Sequence, residues 1–324
     1  MSASYGTGLL TISIVPKTTE DGRRLTQALD RLTAEDPAIQ VRIDQRSHAI
    51  FLGCSGELHL EVVIDRLKRE FNVEASVGRP QIAYREALTR PGAGETKYAT
   101  RIDGRNHYAH VKLDLYPADQ GSSYVFQNEI AGGSIPTEFI GSVDEGVREA
   151  LAGGVVAGYP LQGVRVRLWD GSYHDRDSSE EAFRIAGFQA ALDAARKAAP
   201  VVLEPVMLAE VTVPEEHADE VVDNLISRRG QIDLRENRDG TIVIYARIPL
   251  AGLFGYSSDL RMRTFGRGAF KTRFLGYSPC DIVGRDDDAG DSIVGAPLKP
   301  RPGLRDSGVA LPEPDDDGPP VSIP

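Results

Sequence analysis

The sequence predicts an α+β protein in which two small domains of one architecture flank a different middle piece, followed by a tail that does not fold. Three observations predict it. Hydrophobic periodicities near the start run strand, helix, strand, strand, helix, strand, and the same order returns near the end. The segment between has its own strands, two helices and Gly-rich polar loops. The stretch 281–324 contains no Phe, Trp or Tyr. A length of 324 residues fits two or three domains at roughly 100–200 residues each. The boundaries read as an extension at 1–7, domains at 8–86, 87–203 and 204–280, and a tail at 281–324.

In the first domain Leu10, Ile12 and Ile14 alternate as a strand does, and Leu25, Ala28, Leu29 and Leu32 line one helical face that ends at Glu35-Asp36-Pro37. Ile39, Val41 and Ile43 alternate again, and Ala49 to Leu52 is a short apolar run. A second helix is expected from about Glu57 to Phe71, with Leu60, Val63, Ile64, Leu67 and Phe71 on one stripe, and Val73 to Val77 closes the unit. This β-α-β-β-α-β order is a split β-α-β unit with both helices on one face of the sheet. The repeat near the end reads as a strand at Met207–Val213, a helix at Glu216–Ser227 and a strand at Gln231–Arg235. The turn Asn237-Arg238-Asp239-Gly240 follows, then a strand at Thr241–Ile248, a helix from Leu250 to about Arg263 and a strand at Ala269–Leu275. In the middle piece Val111, Leu113, Leu115 and Val164, Val166, Leu168 mark strands, and Ile140, Val143, Val147 and Leu151 mark a helix. A longer helix opens with the capping box Ser178-x-x-Glu181 and runs to about Ala199, before Pro200.

Composition removes several function classes. The 37 basic and 48 acidic residues give −11, which excludes a uniformly basic nucleic-acid-coating protein but not a local basic patch. The tail holds 8 Pro and 6 Gly, and its 10 acidic and 4 basic side chains account for −6 of that charge, leaving −5 on 1–280. Too little apolar surface is present there to offset the entropy of ordering, so the tail is expected to be disordered. Two cysteines, Cys54 and Cys280, make no disulfide framework and fit a reducing cytosolic setting. No apolar run approaches the length of a membrane span, and the first residues lack a signal-peptide pattern.

No Gly-x-x-x-x-Gly-Lys-Ser/Thr loop, Asn-Lys-x-Asp motif, His-Glu-x-x-His helix or Cys-x-x-Cys pair is present. Two polar loops stand out in the middle piece. One is Gly132-Gly133-Ser134-Ile135-Pro136, leading to Glu138; the other is Gly171-Ser172-Tyr173-His174-Asp175-Arg176-Asp177. His174, Asp175 and Asp177 are chemically able to bind metal or move protons. Three ligands so close in one loop do not close around an ion unaided, so the alternatives are a polar lead-in to a capped helix and a loop that presents charge to RNA. The run 261–273 holds Arg261, Arg263, Arg267, Lys271 and Arg273, no acid, and the interleaved Phe265 and Phe270. It reads either as a phosphate-backbone contact or as a solvated corner with core phenylalanines. Arg228 and Arg229 end the other helix of that domain, where they join this patch or complement the helix dipole. Cys54 precedes a helix N-terminus, a setting that lowers a thiol pKa unless the residue is simply buried.

Taken together these segments resemble the C-terminal half of elongation factor G. Gly56-Glu57-Leu58-His59-Leu60-Glu61, Asp65 to Phe71 and Val77 to Glu86 resemble its third domain. Gly132-Gly133-x-Ile135-Pro136-x-Glu138 and Gly171 to Ser179 resemble the fourth. Leu203-Glu204-Pro205, Arg228-Arg229-Gly230-Gln231, Phe254-Gly255-Tyr256 and Asp259-Leu260-Arg261 resemble the fifth. The resemblance implies two ferredoxin-like domains flanking a domain like ribosomal protein S5. It implies a ribosome partner, with loops Gly132–Glu138 and Tyr173–Asp177 at the decoding centre against tRNA–mRNA. Arg228, Arg229 and the five cations of 261–273 are then expected to face large-subunit rRNA. The family carries a GTP-binding domain and a β-barrel ahead of these segments. GTP and Mg²⁺ belong to that domain, so no cofactor, metal or catalytic residue is expected in this chain, and a GTPase half is expected to act in cis or in trans. Departures from the family pattern are Arg176 for an apolar residue, Cys54 for Met and Ala109 for Gly. With the start at Met1 and the acidic tail, they point to a divergent paralogue or a fragment, and to a stand-alone ribosome-binding regulator or competitor without GTPase activity as the alternative function.

Overall fold

A computed structural model describes residues 8–43, 50–102, 105–118 and 124–280. The expectations for 1–7, for Ala49 and for the tail lie outside them. The first unit comprises β1 (Leu10–Pro16), α1 (Thr19–Glu35), β2 (Gln40–Ile43), β3 (Ile50–Cys54), α2 (Glu57–Arg69) and β4 (Ala75–Val77), in the antiparallel order β2-β3-β1-β4. Its core is Ile12 and Ile14 from β1, Leu25, Leu29 and Leu32 from α1, and Leu60, Val63 and Leu67 from α2, the residues whose spacing predicted these elements. Thr18 caps α1 by accepting from the Asp21 amide at 3.0 Å.

The chain then crosses to the other units. β5 (Gln81–Ile82) pairs with β1, and β6 (Arg85–Leu88) pairs instead with the start of a long later strand. The middle unit contains β7 (Gly92–Ile102), β8 (Arg105–Pro117), β9 (Val125–Asn128), α3 (Thr137–Gly153), β10 (Val164–Ser172) and α4 (Glu180–Lys197). Its sheet runs β7-β8-β10-β9, with β9 parallel to β10. Both helices contribute to one core with Val111, Leu113, Leu115, Val164, Val166 and Leu168. β7 and β9 escaped the sequence reading: β7 has no alternating apolar run because its inward positions include Gly92 and Gly94. A side chain at Gly94 would meet the Ala190 carbonyl at 2.0 Å, so glycine is what lets α4 lie directly on this strand.

The last unit has β11 (Pro200–Pro214), α5 (Ala218–Ser227), β12 (Gln231–Arg238), β13 (Thr241–Pro249), α6 (Tyr256–Arg263) and β14 (Ala269–Pro279), in the order β12-β13-β11-β14. This is the strand order of the first unit. The fold is thus mixed α+β with an architectural repeat. Asp239 and Gly240, both at positive φ, form the two-residue turn that pairs Arg238 with Thr241. The helix expected from Leu250 is broken in two: a short turn at Leu250–Leu253 stops before Gly255, whose φ of +67° cannot continue a helix, and α6 starts after it. β11 is also longer than its apolar alternation indicated, because Pro200–Leu203 pairs with β6.

Leu9, Leu10 and Ile82 pack into the core of the last unit, and the Glu57 carboxylate accepts from the Gly255 amide at 2.9 Å. The strands leading into and out of the middle unit, β6 and β11, lie side by side. Between them and the middle unit stands Glu86, fully buried. Its carboxylate accepts from the amides of Val155 (2.6 Å), Val156 (3.1 Å), Ala157 (2.8 Å) and Tyr159 (3.2 Å).

Candidate nucleic-acid interface

Both polar loops of the middle unit sit at one end of its sheet. β10 ends at Ser172 and opens into Tyr173–Asp177, which folds back on itself: the Asp177 and Ser178 amides donate to the His174 carbonyl at 3.2 and 3.0 Å. Ser178 Oγ accepts from the His174 amide (3.0 Å) and donates to the Tyr108 carbonyl (2.7 Å), fixing the loop to β8. Ser178 is therefore not the helix cap. Ser179 fills that role, its Oγ accepting from the Ala182 amide at 3.2 Å; the N-cap thus lies one residue later than expected because Ser178 is needed to close the loop, and with Ala182 three residues on the expected reciprocal box with Glu181 does not form.

His174 Nδ1 lies 3.2 Å from Asp177 Oδ2, which orients the imidazole, while His174, Asp175 and Arg176 are exposed. Among the described residues no group of three His, Cys, Asp or Glu side chains is placed to hold a metal ion. The neighbouring loop has its glycines outward: Gly132 and Gly133 have φ of +66° and +72° with open space beyond them. Ile135 is its anchor, 2% exposed and seated on Gly171, where a Cβ would strike Ile135 Cδ1 at 2.6 Å. Pro136 then precedes α3, with Glu138 in the first helical turn.

The structure adds residues that sequence reading missed. Arg105, Asn106 and His107, at the start of β8, face Arg176, Asp177, Ser178 and Ser179 across a cavity of about 380 Å³. The available signal was Asp103-Gly104, a hairpin dipeptide flanked by Arg101 and Arg105.

In the last unit the predicted cations divide. Arg228 donates to Gly252 O (2.8 Å), Phe254 O (3.1 Å) and Asp259 (3.0 Å), and its guanidinium lies over the Tyr256 ring. Arg229 pairs with the buried Glu204. Both are bound into the fold rather than presented outward. Arg263 pairs with Asp259 and Glu220, Arg267 with Glu216, and Lys271 with Glu210. Arg261 and Arg273 are exposed and, among the described residues, have no acidic partner. The two phenylalanines also divide: Phe270 meets the Tyr256 ring edge-on at 5.0 Å, whereas Phe265 is 80% exposed.

Burial opposes ionisation of Asp259, but its bonds to Arg228, Arg263 and Asn224 outweigh that and hold the carboxyl below its ordinary value. A depressed folded pKa stabilises above the unfolded value of about 3.9 and is lost as pH falls through the folded value. Acidification from about pH 6 to pH 3 is therefore expected to lower the urea midpoint, and Asp259→Asn to remove part of that drop. Equal drops in the two proteins would contradict this account of the network. Cys54 lies in the first core, where burial pushes its thiol up to about 12, so it behaves as a small apolar residue rather than an activated thiol. No helix among the described residues is long and apolar enough to cross a membrane.

Three family models match in order: Elongation Factor G, domain III, at residues 7–79; Elongation factor G, domain IV, at 80–199; and Elongation factor G C-terminus at 201–287. A crystal structure from Thermus thermophilus is similar at 34% identity with a TM-score of 0.65, over 84% of this chain and 41% of that one. The chain thus spans about two fifths of the length of that relative. With the repeated sheet order at either end and the polar-tipped unit between, these matches place the chain in the elongation factor G family.

Proposed function

We propose that this chain is a ribosome-binding module of a translation factor in the cytoplasm. Its middle unit meets tRNA–mRNA at the decoding centre and its last unit faces large-subunit rRNA. Joined to a GTP-binding half, in cis or in trans, it supports tRNA–mRNA translocation; GTP and Mg²⁺ are the business of that half. The observation that carries this reading is the tip itself. Tyr173–Asp177 and Arg105–His107 converge at one end of a unit stiffened by two helices, presenting charged and hydrogen-bonding groups at the end of a rigid wedge. Rigid placement of polar groups suits a part that biases a moving RNA assembly by occupying space. The uncommitted Arg261 and Arg273 supply the phosphate contacts of the last unit.

The test is co-sedimentation of the full chain with ribosomes. Pelleting is expected at moderate salt and should weaken as salt rises. A variant combining Arg176→Glu, Arg261→Glu and Arg273→Glu is expected to weaken it by about tenfold or more, since each reversal removes a phosphate contact and adds a repulsion. Absence of pelleting at any salt would overturn the reading. Inhibition of an intact factor's translocation by the chain alone would instead assign it as a competitor.

A further inference from the structure

Among the described residues, the helices of the middle unit cover one face of its sheet. Its helices pack on the side of Val111, Leu113, Val166 and Leu168; on the other, Arg165 and Trp169 are exposed and Tyr108, Lys112 and Tyr116 are half-buried. Tyr108, Lys112 and Tyr116 lie four residues apart on β8 and so share that face at intervals of about 13 Å. At each position a cation stands over an aromatic ring. Lys97 Nζ is 5.7 Å from the centre of Tyr108, Lys112 Nζ 5.4 Å from that of Trp169, and the Arg165 guanidinium 5.1 Å from that of Tyr116. Trp169 follows Arg165 and Arg167 onto this face by simple alternation, and the register slip between Leu168 and Asp170 brings Asp170 onto it as well, opposite Lys112. Lys112 is paired with Asp170 at 3.0 Å, whereas Lys97 and Arg165 have no acidic partner among the described residues.

We propose that this face is a stacking platform for the unpaired bases of single-stranded RNA. The proposal rests on the ribosomal reading only in taking RNA as the partner. An exposed indole offers its plane to a base, and flanking cations draw the phosphates. Glu95, Asp114 and Asp170 stand on or beside the same face, so its charge is nearly balanced and electrostatic attraction alone does not hold a ligand there. Affinity then comes from stacking, which favours nucleobases over an acidic polypeptide. A duplex, with its bases already stacked, does not fit this surface.

Trp169 is the chain's one tryptophan, so its emission reports on this face alone. The full chain is titrated with a single-stranded RNA of about twelve nucleotides, within the span that such platforms cover, followed by tryptophan fluorescence and by anisotropy of the labelled RNA. Saturable quenching is expected, with none from a blunt duplex of equal length or from an oligoglutamate. Two uncommitted cations give an expected slope of log K against log salt of about −1.4. Trp169→Ala and the double variant Lys97→Glu, Arg165→Glu should each weaken binding by about tenfold, while Trp169→Phe retains most of it. The double variant changes surface charge without removing the indole, which keeps the test open should Trp169→Ala fold poorly. RNA binding without quenching and insensitive to these changes, quenching by oligoglutamate instead, or no RNA binding at low salt would each overturn the platform. Ribosome pelleting that persists in those cases would leave the proposed function standing.

Discussion

Glu86→Ala is expected to destabilise the protein by about 2–4 kcal/mol, read as a lower urea midpoint, and to loosen the middle unit from its neighbours. The carboxylate is fully buried and gathers four backbone amides from residues 155–159. Charge-assisted bonds of this kind are worth more than neutral ones, and removing the acceptor strands all four donors at once. Residues 156–158 are exposed, so water replaces part of what is lost, which sets the upper end of the range. Gly154 is tied to the same arrangement: at φ +66° it turns the chain around Glu86, and a Cβ there would lie 2.8 Å from Glu86 Oε1. Because β6 also pairs with β11, the loss is expected at the junction itself. Hydrogen exchange should rise at 155–159 and 200–203 well before it rises in α3 or α4. A midpoint unchanged within about 0.5 kcal/mol would show that the amides find water at no cost.

The second large effect is at the crossing of α3 and α4. A methyl at Gly146 would lie 2.0 Å from the Arg184 carbonyl oxygen and 3.0 Å from the Phe188 amide, all backbone of the facing helix. Alanine in place of glycine inside a helix ordinarily gains up to about 1 kcal/mol. Here no flexible side chain is available to move aside, so Gly146→Ala is expected to cost about 2–3 kcal/mol instead. Gly141, in the same helix with open space beyond it, is the control, and Gly141→Ala is expected to stabilise by about 0.5–1 kcal/mol. Opposite signs from one substitution in one helix test the packing directly by thermal or urea denaturation.

The same crossing shows where sequence reading reaches its limit. α1, α2 and α3 carry leucine, isoleucine and valine at helical spacing and were visible as amphipathic helices. α4 buries Ala182, Ala186, Ala190, Ala191, Ala194 and Ala195, and small residues give little contrast in hydrophobicity while deciding how near the backbones come. Strands were legible where one face alternated, as in β8 and β10, and illegible in β7, whose inward glycines serve a helix roughly a hundred positions away.

The candidate site divides in the same way. The loops at 132–138 and 173–177 announced themselves by composition, and the fold places both at one end of the middle sheet. Arg105–His107 became part of that end only through the pairing of β8 with β10. Counting charge along the chain overstated the last unit. Arg229 answers Glu204, Arg263 answers Glu220 and Arg267 answers Glu216, partners 25, 43 and 51 positions distant, so a run that looks basic in sequence is largely neutralised in space. Arg228 reads as a helix-end cation in sequence and proves to be the hub that fastens α5 to α6.

The central claim, that the polar tip of the middle unit meets decoding-centre RNA, is tested most directly by tethered cleavage. Cys54 and Cys280 are buried, so a cysteine introduced by Asp175→Cys is the one accessible thiol for an iron-chelate probe among the described residues. A second protein carrying Thr89→Cys places the probe near the far end of α4, about 27 Å along an 18-residue helix. On ribosomes, hydroxyl radicals from position 175 are expected to cut small-subunit rRNA around the decoding centre, and those from position 89 to cut elsewhere. No rRNA cleavage from position 175, or one pattern shared by both positions, would contradict the account.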